Sequence, residues 1–263
     1  MRSFVRTVAP FALAGLLATP AFAAPGLRLS WDHCFADGQV VNKAFACGTN
    51  LGSEVLDLSF ESPVAASDRV GIELTVHLTS SDGTLPDWWR VNGAGGCRSM
   101  ALGAAVIDPS SINCDQPIPA LNGAGGVADM AQITPTVWRV RAAVAVPAAA
   151  PFSVGPGTET LAIQLIVRNT RTVGSTACPG CTTPICIGFA SANLVAAANA
   201  DPILIVAGAP NTGGGPANVT WQGAYTTGYS FLGTLFSLDF GCAPSKPVAI
   251  RGSTWGALKS MYH

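Results

Sequence analysis

The sequence predicts an all-β protein, a mostly antiparallel β-sandwich or jelly-roll-like double sheet with disulfide-stapled loops. Three observations predict it. Apolar residues recur with a period of two in separate stretches; in the longest, Val70, Ile72, Leu74, Val76 and Leu78 alternate with Gly71, Glu73, Thr75, His77 and Thr79. That period buries one face of a strand and leaves the other to solvent. Turn signals separate the stretches at short intervals, and helical periodicity is nearly absent, the pattern of a double sheet. The chain also carries eight cysteines. An even number in an exported chain points to disulfides rather than to a metal.

Export is read from the first 23 residues. Arg2 and Arg6 form a basic n-region, residues 8–18 an apolar h-region, and Ala21-Phe22-Ala23 an A-x-A cleavage site. Together they have the form of a secretory signal peptide cleaved near Ala23, which places the mature chain in the periplasm or outside the cell. The later apolar stretches, 142–152 and 190–210, are interrupted before they reach the roughly 18 residues of a membrane span. Two of the 14 basic residues leave with that peptide, so the mature chain, with its 15 acidic residues, is net acidic. Without a basic stripe, nucleic acid is not an expected partner. No linker composition interrupts residues 24–246, which are taken as one domain.

The elements follow in order. Residues 27–31 alternate into Trp31, and a loop with Asp37-Gly38 leads to a second expected strand at 40–47, the two forming a hairpin. Leu56, Leu58 and Phe60 mark the next strand, and Val70 to Leu78 the clearest one. Pro86-Asp87-Trp88-Trp89-Arg90 reads as a short helical turn with proline early in it. Of its two tryptophans one is expected in the core and the other covering an edge or lining a surface. Met100, Leu102, Ala104 and Val106 read as a strand, as do Trp138 to Val146, Leu161 to Val167, and residues 203–206, 219–221 and 231–240. Glycine-rich loops are expected at 93–96, 122–126 and 210–216. Residues 247–252 read as a spacer before a tail in which Ser253-Thr254 caps a brief helical turn. Trp255, Leu258, Met261 and Tyr262 share one face of it, a stripe too short to stand alone and so a docking element.

Cysteine spacing suggests local staples. Cys34 with Cys47 and Cys97 with Cys114 each close a loop of about 15 residues, worth on the order of 3 kcal/mol in the chain-entropy model. Around Cys178-Pro179-Gly180-Cys181-Thr182-Thr183-Pro184-Ile185-Cys186, Pro179 and Gly180 suit the middle of a type II turn. Two pairings stay open there: Cys178 with Cys181 and Cys186 with Cys242, or Cys178 with Cys186 and Cys181 with Cys242.

Several features converge: Leu29-Ser30-Trp31-Asp32 before a cysteine, Asn42-Lys43 to Cys47, Pro86-Asp87-Trp88-Trp89 to Cys97-Arg98, Thr172-Val173-Gly174 before the cysteine corner, and Trp255-Gly256 to Lys259 and Tyr262. Along most of the mature chain they resemble a group of uncharacterised exported, disulfide-framed proteins of environmental bacteria. The resemblance implies an exported protein and carries over no catalytic residue.

Candidate chemistry is sparse. The Cys178–Cys181 spacing is that of thiol oxidoreductases, but no helix pattern follows to stabilise a thiolate. Only His33, His77 and His263 are available for histidine chemistry, and neither G-x-S-x-G nor H-E-x-x-H occurs. Glu54, Asp57, Glu61 and Glu73 are the carboxylates on strands, at spacings also expected of a solvated sheet face. Trp88, Trp89, Trp221, Tyr225 and Tyr229 are the aromatic residues that would build a sugar-stacking platform if exposed. The reading that follows is an exported non-enzymatic structural or interaction protein of the cell surface or extracellular space, without cofactor or metal. Its partner would be another copy, another surface protein or a glycan. A carbohydrate-binding module using those aromatics is the alternative, and a carboxylate-dependent glycan hydrolase the next.

Overall fold

The computed structural model describes residues 26–80, 84–92, 96–106, 114–118, 125–135, 137–197, 201–206 and 217–222. The expected signal peptide, Cys242, Tyr225, Tyr229, His263, the expected strand at 231–240 and the tail at 247–263 lie outside these residues, as do most of the expected glycine-rich loops.

Thirteen strands are found among the described residues: β1 (Gly26–Trp31), β2 (Asn42–Lys43), β3 (Ser53–Glu61), β4 (Ala66–Ser80), β5 (Leu102–Ala105), β6 (Gln116–Pro117), β7 (Gly125–Thr134), β8 (Val137–Ala145), β9 (Phe152–Val154), β10 (Thr160–Arg168), β11 (Ile185–Ala196), β12 (Ile203–Val206) and β13 (Asn218–Trp221). They form two mostly antiparallel sheets, an all-β sandwich-like fold. One sheet runs β1-β3-β10-β5, with β6 also on β10. The other runs β2-β13-β11-β4-β8-β7, with β12 on β11 and β9 on β4.

Two crossings tie the sheets together. β3 and β10 are neighbours in the first sheet, and their successors β4 and β11 are neighbours in the second. The chain changes sheet after β3 at one end of the sandwich and after β10 at the other. The second crossing passes through the cysteine corner, so the corner links the central strands of both sheets.

Alternation puts Leu27, Leu29, Trp31, Leu56, Leu58, Phe60, Ile72, Leu74, Val76 and Leu78 into one core with Ile163, Leu165 and Val167. The strand readings at 27–31, 56–60, 70–78, 137–146 and 161–167 therefore hold. Two other expectations fail for physical reasons, and one strand carries no signal. Residues 40–47 do not form a hairpin with β1, whose partner is β3. They meet β1 at Val40, whose O accepts the Trp31 N–H (2.9 Å) and whose N–H donates to Ser30 Oγ (2.9 Å), and then swing away so that Phe45 packs against Trp88 and Trp221. Met100 is not in the strand expected there but precedes it in a turn. β7, with the sequence Gly-Gly-Val-Ala-Asp-Met-Ala-Gln-Ile-Thr, has no clean period of two and gives no strand signal in the sequence.

Both adjacent tryptophans are core residues, and neither lies at an edge as expected. Asp87–Trp89 is a 3-10 turn, from which consecutive side chains leave about 120° apart. Both rings enter the core against Trp221, Trp88 stacked on it and Trp89 edge-on, each with its centroid 5.2 Å from Trp221 and 5.3 Å from the other. Trp31 joins the cluster 5.8 Å from Trp221.

The turn reaches this position by resting on the corner. The Trp88 N–H donates to Pro179 O (2.9 Å), and Gly180, at φ +98°, lies so close that a Cβ there would collide with Pro86. Gly174 has nearly the same φ, +96°, but open space around it. Gly180→Ala should therefore cost about 2–4 kcal/mol, backbone strain plus displacement of Pro86, whereas Gly174→Ala should cost only about 1 kcal/mol. Urea unfolding of the two variants measures the difference.

Candidate functional site

The Cys178-Pro179-Gly180-Cys181 turn sends its two thiols to different parts of the chain. Cys178 is bonded to Cys97 and Cys181 to Cys47, each with Cα atoms 5.9 Å apart, and Cys34 is bonded to Cys114 at 5.6 Å. Cys186 is also disulfide-bonded. The expected pairings Cys34–Cys47, Cys97–Cys114, Cys178–Cys181, Cys178–Cys186 and Cys181–Cys242 are thus all overturned. Spacing measures only the cost of closing a loop, whereas here packing decides: Phe45 draws Cys47 to the corner, and the chain after Trp31 carries Cys34 over the first sheet. With separations of 81 and 134 residues the corner bonds are long-range. Each is worth about 5 kcal/mol taken singly in the chain-entropy model.

Next to Cys97, Arg98 is buried at 1 % exposure with its guanidinium 3.6 Å from the centroid of Trp88. It donates to Thr170 O (2.9 Å), Trp88 O (2.7 Å) and Arg168 O. Burial lowers its pKa to about 10, which still leaves it charged at neutral pH. The face of an aromatic ring and three carbonyl dipoles offset the cost of desolvating that charge. Trp88 in turn donates to Thr172 Oγ1 (2.9 Å), and Asn50 Oδ1 accepts from the Thr172 and Val173 N–H groups (2.7 and 2.9 Å).

This frame holds a set of exposed side chains. Leu51 and Met100 are each 80 % exposed, the most exposed large apolar residues described. Met100 and Arg171 adopt left-handed backbone conformations, φ +69° and +58°. Such conformations cost a non-glycine residue energy and persist only where the surroundings enforce them. Arg168 donates to Met100 O (3.1 Å) and Arg171 to Cys97 O, both arginines lying open to solvent. In the sequence Arg98 stands out only as part of a resemblance, Leu51 and the two exposed arginines carry no signal, and Met100 reads as a strand residue.

The aromatic platform is overturned where it is described. Trp88, Trp89 and Trp221 are at most 1 % exposed. Internal acceptors take the indole N–H of Trp88 (Thr172 Oγ1, 2.9 Å) and of Trp221 (Cys181 O, 2.7 Å), whereas that of Trp89 is buried without a partner among the described residues.

The carboxylates are not on a solvated face either. After Trp31 the chain returns across the outer side of the first sheet as a strap, with Phe35 over the Arg28 guanidinium (4.9 Å). Beneath and beside it Asp57, Glu61 and Glu159 are each 1 % exposed. Glu61 is ion-paired to Arg28 (2.7 Å) and accepts the Gly157 N–H (2.6 Å). Glu159, which no sequence pattern marks, accepts the N–H groups of Phe35 (3.1 Å) and Ala36 (2.9 Å) and the Ser59 hydroxyl. Glu54 is paired with Lys43 (3.0 Å) and accepts from Asn169 (3.1 Å). These carboxylates fasten the strap and the strand end. Glu73 is half-buried on the second sheet and accepts from Asn193 (3.4 Å).

Two buried groups titrate abnormally. Burial pushes the Asp57 carboxyl up to about 6 from 3.8, against the bond from Gln164. Burial also pushes His77 down to about 4 from 6.5, with the nearby Arg139 charge adding to it. The folded state takes up a proton at Asp57 that the unfolded chain releases, so this contribution falls as pH rises from about 4 to 6. The folded state refuses a proton at His77, so that contribution is full above about 6.5 and is lost as pH falls toward 4. Each is worth about 3 kcal/mol, and they oppose one another. Asp57→Asn should therefore gain stability by about 3 kcal/mol between pH 4 and 6.5, and His77→Gln should lose about as much over that range. Denaturant titrations at a series of pH values read both slopes.

No protein-family model, curated protein or solved structure matches the chain.

Proposed function

We propose that the mature chain is an exported, non-enzymatic structural or interaction protein of the cell surface or extracellular space, acting by contact. The observation that carries this reading is the corner. Two long-range disulfides and a buried arginine fix loops from four parts of the chain, and those loops hold Leu51 and Met100 out in solvent, Met100 in a strained but enforced backbone conformation. Rigid presentation lowers the ordering cost of association, which favours a contact surface. The first 23 residues and the disulfides both fit an oxidising compartment outside the cytoplasm. Among the described residues no helix is long and apolar enough to cross a membrane. The resemblance to exported, disulfide-framed proteins of environmental bacteria agrees with this assignment.

The hydrolase reading has less support, because Glu54, Glu61 and Glu159 are already engaged in fastening the fold. The aromatic route to glycans is left with Tyr225 and Tyr229.

Co-sedimentation of the purified oxidised mature protein with isolated envelopes of the producing cell tests the proposal. The expected result is saturable binding that is lost when the disulfides are reduced and alkylated. Failure to sediment, together with release of reducing ends from a polysaccharide panel, would overturn it.

A further inference from the structure

The contact surface has a definite chemistry. Arg168 is the last residue of β10, paired with Ser53 of β3. Leu51 and Met100 flank it on the two sides, two strand spacings or roughly 10 Å apart. Leu51 O accepts from Asn169 on one side, and Met100 O accepts from Arg168 on the other. The Arg168 guanidinium lies along the bare backbone of Gly103, where a Cβ would stand 3.3 Å from it. It is therefore held over β5, on the Met100 side of β10, rather than swept through solvent.

The charge here is unbalanced. Neither Arg168 nor Arg171 has an ion pair among the described residues, although Arg28, Lys43, Arg69, Arg90 and Arg141 all do. Arg98 beneath them adds a third positive charge held by carbonyls alone. In a chain with more acidic than basic residues, three arginines that no described carboxylate pairs gather at one end, where the nearby Glu54 is already neutralised by Lys43, and they form a local site of positive potential. Each exposed arginine uses part of its fork on a backbone carbonyl and keeps N–H groups for a carboxylate.

From this juxtaposition we infer that the sheet end between Leu51 and Met100 binds an acidic peptide segment of a partner protein, one that carries apolar side chains among its carboxylates. The inference rests on the contact reading above and names the partner it serves. Carboxylates meet Arg168 and Arg171, and apolar side chains cover Leu51 and Met100. Methionine's flexible thioether suits it to such a surface. A simple polyanion, such as an acidic polysaccharide, would use the arginines and gain nothing from the apolar pair. The left-handed Met100 is consistent with a side chain retained at a cost to the fold: glycine is the residue that conformation favours.

The test is fluorescence anisotropy with a labelled twelve-residue peptide repeating Glu-Leu-Asp-Phe, its Lys-Leu-Lys-Phe counterpart, and polygalacturonate as competitor. Wild type should bind the acidic peptide, more weakly as salt rises, and ignore the basic one. Arg168→Gln with Arg171→Gln, and separately Leu51→Ser with Met100→Ser, should each weaken binding about tenfold or more. Met100→Gly should weaken it while leaving the melting temperature equal or higher, which separates binding from folding. No binding of the acidic peptide, or equal binding by all variants, overturns the inference; so does effective competition by polygalacturonate with the Leu51→Ser, Met100→Ser variant unaffected. Envelope sedimentation of the same proteins tells the two failures apart. Wild type and variants sedimenting alike would retain the contact reading and discard this surface, whereas wild type failing to sediment counts against the contact reading itself.

Discussion

One buried charge organises this fold. Arg98 sits on the face of Trp88 and donates to the carbonyls of Trp88, Arg168 and Thr170, which belong to the 3-10 turn, the end of β10 and the start of the corner. No carboxylate among the described residues pairs with it. Without the guanidinium three carbonyls would face a gap and Trp88 would lose the cation on its face, so the group is compensated only when all three segments are in place. That makes it a check on assembly as well as a source of stability. The neighbouring Cys97–Cys178 bond then locks the arrangement covalently, and Trp88 carries it into the core through Trp221.

At the other end of the first sheet the same logic is carried out with carboxylates. The strap after Trp31 would be an ordinary surface loop, but Glu159 accepts two of its backbone N–H groups, Phe35 rests on Arg28, and Cys34 is bonded to Cys114. The β1–β3 part of that sheet's outer face is thereby removed from solvent. Asp57 is the member left with an oxygen lacking a hydrogen-bond partner, and its raised pKa follows from that enclosure. Residues with the look of an acid–base pair in the sequence are fasteners in the structure. The exposed chemistry lies instead at the corner.

The strands with sustained alternation were legible in the sequence because a period of two repeated over several residues has few other physical readings; β3, β4, β8 and β10 are of this kind, β4 the longest. β11 is less legible, since Gly188, Ala190, Ser191 and Ala192 give a central strand little contrast between its faces. The disulfide pairing was not legible. Closure entropy favours near neighbours, and nothing local in the sequence announces that Phe45 will join the tryptophan cluster and take Cys47 with it. The corner surface was illegible for a similar reason. Leu51 reads as one more apolar residue before a strand and Met100 as the first residue of one, and only the turn geometry shows both facing solvent. Glu159 lies outside any pattern because its partners, Phe35 and Ala36, are more than a hundred residues away in the chain.

Arg98 reaches all three carbonyls only if Cys97 meets Cys178, so the connectivity of the cysteines is the most direct test of this account. Proteolysis of the alkylated, unreduced mature protein followed by mass spectrometry of the linked peptides would read it. The account predicts peptides joined through Cys97–Cys178, Cys47–Cys181 and Cys34–Cys114. Peptides joined through Cys97–Cys114 and Cys34–Cys47, the local staples, would contradict it.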